Sequence, residues 1–590
     1  TNFALLNYST SGRVSDVWRV IQLNGNVEYE IIDGLKAKAL FGYYFALQEL
    51  ENQEYKFNLY AYDESTGEYY ITDRMTNPYR ERNRDRVEDL TSNIQLNYDK
   101  KFGKHAINIV AGFEATKRNR PKMWIHSTPT SDAMDLIRLN EIVEFNDTGK
   151  GTEARMGYLA RINYNYADRY LVELIGRWDG SWKFRPGHRW GFFPSASLGW
   201  RLSEESFWKE NKIGEIVTNL KVRASYGEVG DDNVSNYSPY DFLPGYTYNN
   251  GGAVIDGEWV IGSATRGLPN ETLSWLTSKI LDVGMDLGFF NNRLNAQIDF
   301  FQRKRDGLPA QRYDVLIPVE VGFSLPQENL NSDMHRGFDA SIMWSDNIND
   351  FHYAIGGNVT YSRFWDWEQY KPRFSNSWDE YRNSIWHRVG YVNWGYEAIG
   401  RFESWEQIAN YPIDNDRKGN RTVVPGDIMY KDQNGDGVIN GYDERPIGYR
   451  VDSTPTLNYG INLSASWKGF DLAMDWTGSG MTSWWQRYET ARPFQNDGNN
   501  PSEVLTDAWR LSDPFDPDSE LIPGKYPMLR LASDETSAYD NSTYWLHNVR
   551  YIKLRNLEFG YTLPKAWLAH TGITNVRVYL SGTNLFTISN

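Results

Sequence analysis

From about residue 27 to its end, the chain reads as paired runs in which apolar and polar side chains alternate at every second position. In "ARINYNYADRYLVELIGRWDG", Ile162, Tyr164 and Tyr166 fall on one side of an extended backbone, and Arg161, Asn163 and Asn165 on the other. Beyond Ala167-Asp168, Tyr170, Val172, Leu174 and Trp178 share a side, opposed by Glu173 and Arg177. Successive side chains of a strand point to opposite faces, so this pattern makes two strands joined by a tight turn, with one apolar face. "TLNYGINLSASWKGFDLAMDW" repeats the plan: Leu457, Tyr459, Ile461, Leu463 and Ala465, a Lys468-Gly469 turn, then Phe470, Leu472, Met474 and Trp476. A chain built this way is all-β and antiparallel.

The connections narrow the choice. Hairpins are expected near 27–46 (turn Asp33-Gly34), 90–116 (around Lys100–Lys104), 155–179, 192–227, 279–303 (turn Asn291-Asn292), 336–362 (Ser345–Asp350), 456–478 and 549–586. Most turns inside these hairpins are short, whereas the links 117–154, 228–278, 304–335, 363–455 and 479–548 are long. An outer-membrane barrel sorts its connections in this manner, with short periplasmic turns and long extracellular loops. Mean hydropathy is −0.63 and no run of about 18 apolar residues occurs, so membrane-spanning helices are excluded. A spanning strand needs only about 9–11 residues, of which alternate ones face lipid. The 23 Trp and 39 Tyr also suit a secreted, calcium-braced β-protein that binds or cleaves polysaccharide, and periodicity by itself leaves that reading open. A formal charge of −15 argues against a nucleic-acid partner, and the absence of cysteine excludes disulfides and thiolate metal sites.

One short segment carries ligand chemistry. In "DQNGDGVINGYD", within the stretch 425–443, Asp432, Asn434, Asp436, the Val438 carbonyl, Asn440 and Asp443 take positions 1, 3, 5, 7, 9 and 12 of a calcium loop, with Gly437 at the sharp turn. Ca²⁺ takes about six to eight oxygen ligands, and such alternation supplies them. Asp443 is shorter than the usual glutamate at the last position, and no amphipathic helix flanks the loop. A structural ion bracing a long surface loop is the expectation; an Asn/Asp/Gly turn held by its own hydrogen bonds is the alternative.

Catalytic signatures are missing. None of HExxH, GxSxG or a P-loop occurs, and carboxylate pairs among 77 acidic residues carry no information about spacing in space. The chain is expected not to be an enzyme. The long links concentrate aromatics, Trp365, Trp367 and Tyr370, then Trp378 and Trp386, then Trp484 and Trp485, which could stack on sugar rings, touch a partner protein, pack loop on loop, or form the interfacial aromatic belt.

Several longer strings resemble the SusC/RagA family of TonB-dependent outer-membrane transporters. They are "RYLVELIGRWDGSWKFRPGHRWGFFPSASLGWRLSEESF", "NLKVRASYGEVGDDNV", "LDVGMDLGFFNNRLNAQIDFF", "RGFDASIMW", "PGDIMYKDQNGDGVIN" and "YIKLRNLEFGYTLPKAWLAHTGITNVRVYLSGTNLF", in family order. The resemblance implies a plugged barrel of about 22 strands, of which about sixteen are countable here. It also implies an N-terminal plug and a TonB-contacting segment ahead of Thr1, so the chain reads as a stretch of a longer protein. By the same resemblance the function is TonB-energised import of glycan oligomers or peptides across a Bacteroidota-type outer membrane, with a SusD-like surface lipoprotein as partner. A structural barrel within a larger surface assembly is a further alternative.

Overall fold

A computed structural model describes residues 11–76, 79–131, 135–149, 151–233, 239–451, 454–494, 502–530, 536–569 and 572–590. Sixteen long strands follow one another as an antiparallel meander. They are β1 Gly12–Ile32, β2 Leu35–Glu54, β3 Tyr79–Phe102, β4 His105–Asn119, β5 Glu153–Tyr166 and β6 Tyr170–Ser181. Next come β7 Trp190–Arg201, β8 Val217–Asp231, β9 Leu276–Phe289, β10 Leu294–Ala310, β11 Glu328–Ile348 and β12 Phe351–Glu368. β13 Leu457–Trp467, β14 Phe470–Trp485, β15 Leu546–Thr562 and β16 Arg577–Ser589 complete the series. Three short strands, Lys122–Ser127, Ile142–Asp147 and Arg388–Val389, join the sheet near its loop end.

The tight turns lie where the alternation breaks. Lys468 and Gly469 have φ of 47° and 91°, and Ala167 and Asp168 have 57° and 58°. Positive φ at both central residues matches the right-handed twist of the flanking strands. Among the described residues, the turns that join the long strands lie at one end of the sheet and the long links at the other, one of which carries its own small hairpin turned at Asp256-Gly257. The strands outrun the hairpins expected from alternation: β3 holds 24 residues, about 80 Å of extended chain, against the roughly 9–11 that cross a bilayer. Much of what reads as link in the sequence, such as 304–310, 328–335 and 363–368, is therefore strand standing above the membrane.

The sheet is a single layer whose apolar side has nothing packed over it. Leu174, Leu198 and Phe300 are 50%, 59% and 60% exposed. Register makes this side continuous: Ile162 pairs with Ile109 and Leu174, Leu198 with Val172 and Ala224, and Val283 with Ala224 and Phe300. Farther along, Phe338 pairs with Phe300 and Tyr361, and Leu463 with Ile355 and Met474. The opposite side is wet and charged: Arg223 reaches Asp299 at 2.6 Å and Asp286 at 3.3 Å, and Asn462 donates to Asp475 at 2.7 Å. Among the described residues, no second layer packs a dry core against this sheet; hydrocarbon is the solvent that fits the apolar side.

Two rows of rings bound that side. Near the turns, Tyr166, Tyr170 and Trp200 stack at 6.3 Å centroid spacings. Toward the loops, Trp178 packs on Tyr158 and Trp190 at 6.4 and 5.1 Å. Tyr170 and Trp178 lie about 27 Å apart along β6, or about 20 Å in height at ordinary barrel tilt, close to the apolar band of an outer-membrane barrel. Leu174 sits midway between them. Leu174→Arg is expected to lower stability in bilayers by about 2–4 kcal/mol, whereas Glu173→Arg on the wet side costs little. Denaturant titration of both variants checks this, and equal losses would mean that water bathes both faces.

Candidate functional site

The two longest links do not wander. Residues of 369–456 and 486–545 fold on each other into a cap with its own core, in which Tyr396, Ile428, Tyr430, Ile439, Val504, Ala508, Tyr526 and Trp545 are buried together. Short strand pairs join Asn393–Gly395 to Arg445–Ile447 and Ala398–Arg401 to Ile428–Tyr430. Because such a core removes backbone from water, its polar groups need partners. Asn415, fully buried, donates to the Ile428 carbonyl at 3.0 Å and accepts from the Tyr430 amide at 3.0 Å. The Tyr430 hydroxyl donates to the Ser537 carbonyl at 2.7 Å, tying the two links together.

Charges hold the remainder of the cap. Asp427 is fully buried and paired with Arg530, whose guanidinium also donates to the Thr422 carbonyl at 2.7 Å. Burial pushes the Asp427 carboxyl up, and Arg530 opposes that shift. Burial also raises Asp416, but hydrogen bonds from the Thr422 amide and hydroxyl and the Lys418 amide prevail and hold it at about 2. Arg401 donates to the Gly426 and Gly524 carbonyls and lies over the rings of Trp509 and Tyr544.

The acidic loop hangs from this core. The Ile428–Tyr430 strand leads into it, and a single 3-10 turn, Gly441–Asp443, closes it. Asp432 accepts from the Gly435 and Gly437 amides at 2.6 and 2.8 Å, while Gly435 and Gly437 themselves adopt φ of 77° and 82°. Asp443 is fully buried and accepts from the amides of Gln433, Asn434 and Asn440. Carboxylate oxygens of Asp432, Asp436 and Asp443 all lie within 4.8 Å of one another. Among the described residues, no lysine or arginine pairs with any of the three. Asn434 donates to Asp436 at 2.9 Å, and with the Val438 amide this holds the Asp436 carboxyl below its usual value. Asn440 is turned to the backbone, accepting from the Tyr442 amide and donating to the Val438 carbonyl at 3.1 Å. The loop is thus a self-bonded turn that also gathers three unneutralised carboxylates.

The aromatics divide. Trp365 and Trp367 stand on the outer side of β12, beneath the Arg336 guanidinium at 5.0 and 5.2 Å. Tyr370 bonds Asp314 through its hydroxyl at 3.2 Å. Trp378 packs among Tyr381, Trp394 and Tyr442 inside the cap, and Trp485 lies against the cap core with Arg487 over its ring. Trp386, 57% exposed, and Trp484, stacked on His547 at 5.8 Å, keep free faces. Between cap and wall opens a cleft of roughly 540 Å³ lined by His335, Phe364, Tyr391, Asn393, Tyr449 and Arg450. Arg450 lies 3.7 Å from the Tyr391 ring centroid. Neither this cleft nor the Asp427–Arg530 pair is visible in the sequence: the cleft joins residues of β11 and β12 to one link, and the pair joins two links, with no local spacing to announce either.

Three comparisons bear on this architecture. The sequence profile of a family described as "TonB dependent receptor-like, beta-barrel" matches residues 2–585. TonB-dependent receptor P3 of Formosa agariphila is 28% identical over all of this chain and 55% of its own length. TonB-dependent receptor SusC of Bacteroides thetaiotaomicron is 27% identical over 85% of this chain and 47% of its own. The structure of the RagAB peptide transporter superposes with a TM-score of 0.73 at 21% identity, over 98% of this chain and 59% of that one. The chain spans about half the length of the curated relatives it matches.

Proposed function

Because the chain belongs to the TonB-dependent receptor β-barrel family, we propose that its wall and cap serve TonB-energised import of glycan oligomers or peptides through the outer membrane. The family places the barrel in that membrane and is one of receptors rather than enzymes, which removes the secreted alternative. The observation that carries the transport reading is a one-layer wall, apolar outside and charged inside, roofed at one end by a folded cap. A wall serving only to brace a surface assembly needs neither a wet lumen nor a cleft beneath the roof. Peptide cargo is favoured by the likeness to the RagAB peptide transporter. Sugar is favoured by free ring faces at Trp386 and Trp484, which suit stacking. A SusD-like surface lipoprotein fits the exposed top of the cap as partner. Calcium at Asp432, Asn434, Asp436 and Asp443, with the Val438 carbonyl, is part of the same reading. The all-oxygen donor set and three convergent carboxylates, without a basic partner among the described residues, fit a hard divalent cation. Such an ion would supply charge neutralisation and hold the loop's shape.

The test is uptake of fluorescent oligosaccharide and peptide pools by cells carrying the full-length protein, with and without an inner-membrane proton gradient. Uptake of one pool that vanishes when the gradient is collapsed is the expected result. Uptake that survives collapse, or none of either pool, would overturn the proposal.

A further inference from the structure

Just above the apolar band the outer side of the wall changes character. On β11 and β12 the Phe338–Tyr361 pair is followed, two positions up, by Arg336 directly opposite Arg363. Two like charges facing each other across a ladder destabilise it unless something offsets them. Neighbouring charges on the same side are matched: Lys304 reaches Asp306 at 2.9 Å and Glu368 at 3.5 Å. Among the described residues, neither Arg336 nor Arg363 pairs with a carboxylate, and the buried Nε of Arg336 has no hydrogen-bond partner. Trp365 lies beneath both guanidiniums, at 5.0 Å from Arg336 and 5.7 Å from Arg363. Tryptophan at this height marks the boundary between lipid and water.

We infer that Arg336 and Arg363 form a binding site for the headgroup phosphate of an outer-leaflet lipid, whose acyl chains lie against the apolar band below. Guanidinium forks match phosphate oxygens two at a time, and a phosphate between two arginines cancels their repulsion. A zwitterionic headgroup would bring its own cation and satisfy the pair less well. The inference rests on the wall facing lipid and is independent of any cargo.

The experiment uses full-length protein in nanodiscs of phosphatidylethanolamine containing lipid A, a phosphorylated glycolipid, with native mass spectrometry counting retained lipid A. The wild type should hold lipid A, and Arg336→Gln with Arg363→Gln should lower its occupancy about ten-fold or more, consistent with loss of charge-assisted bonds. The double lysine variant should retain part, and Lys101→Gln at the turn end should change nothing. Folding of each variant is read from its mobility on an unheated gel. Should the glutamine variant fail to fold, wild-type protein offered dephosphorylated lipid A gives the same reading, with retention lost. Equal retention by a folded double glutamine variant, or of the dephosphorylated lipid, overturns the inference. So does displacement of lipid A by millimolar inorganic phosphate, which would indicate a site for free anions. Cargo uptake is scored separately: lipid A held normally without uptake sinks the transport reading and leaves this one standing.

Discussion

Arg530→Ala is expected to cost the cap about 3–5 kcal/mol, because it leaves the fully buried Asp427 carboxylate without its countercharge. The Val424 amide still donates to Asp427 at 3.0 Å and the Arg401 charge still acts on it, but neither replaces the directly paired guanidinium. The loss should be local. Amide hydrogen exchange in the full-length protein should speed up in Ala398–Arg401 and Ile428–Tyr430 and stay slow in the strands of the wall. Adding Asp427→Asn should recover part of the protection, since the orphaned charge is then gone while an acceptor for Val424 remains. Unchanged exchange in the single variant would mean that the pair contributes nothing to the cap.

Asp443→Ala should open the acidic loop. Three backbone amides lose their acceptor inside a buried setting, at about 1–3 kcal/mol for each donor left without a partner. Protease should then cut within 432–443, where the wild type resists. The same assay separates the hydrogen-bonded turn from the ion site. Asp436→Asn preserves an acceptor for the Val438 amide but removes one of the three converging charges. In chelator it should match the wild type, and in calcium the wild type alone should gain further resistance. If calcium protects neither protein, the loop is a turn and the metal proposal fails.

What could be read from the sequence follows from which physical demand is periodic. Hydrocarbon on one side and water on the other impose a period of two, so Leu174 against Glu173 and Ile461 against Asn462 are legible without coordinates. Turns are legible where glycine supplies the positive φ that a two-residue hairpin requires, as at Lys468-Gly469; Ala167-Asp168 instead opens a three-residue connection between the paired Tyr166 and Tyr170. Above the bilayer that demand ends. In β3, "RERNRDRVED" alternates nothing apolar, yet Arg84 and Arg82 pair with Glu49 and Glu51 across the ladder and the strand continues. The cap is the least legible part. Its core gathers Tyr430 from one link and Val504, Tyr526 and Trp545 from another, and no spacing within either announces the other. The acidic loop is the exception, because its spacing is local: Asp432, Asp436 and Asp443 converge, while Asn440 turns to the backbone. Of the roles open to Trp365 and Trp367 in the sequence, their place on the outer wall fits the interfacial belt, and the alternation of β12 sends Phe364 inward to pack against Tyr391 at 5.1 Å.

The height of the wall bears on how charged molecules arrive. On β3 the outer apolar residues end near Leu90, and the strand continues to Tyr79, about 36 Å farther along its length and about 28 Å higher at ordinary tilt. At physiological ionic strength, electrostatic fields fade over about 8 Å. The headgroups take up about 5–7 Å of that height, so the rim opens more than two screening lengths beyond the phosphate layer, and an anionic solute reaching it feels the side chains there rather than repulsion from the bilayer.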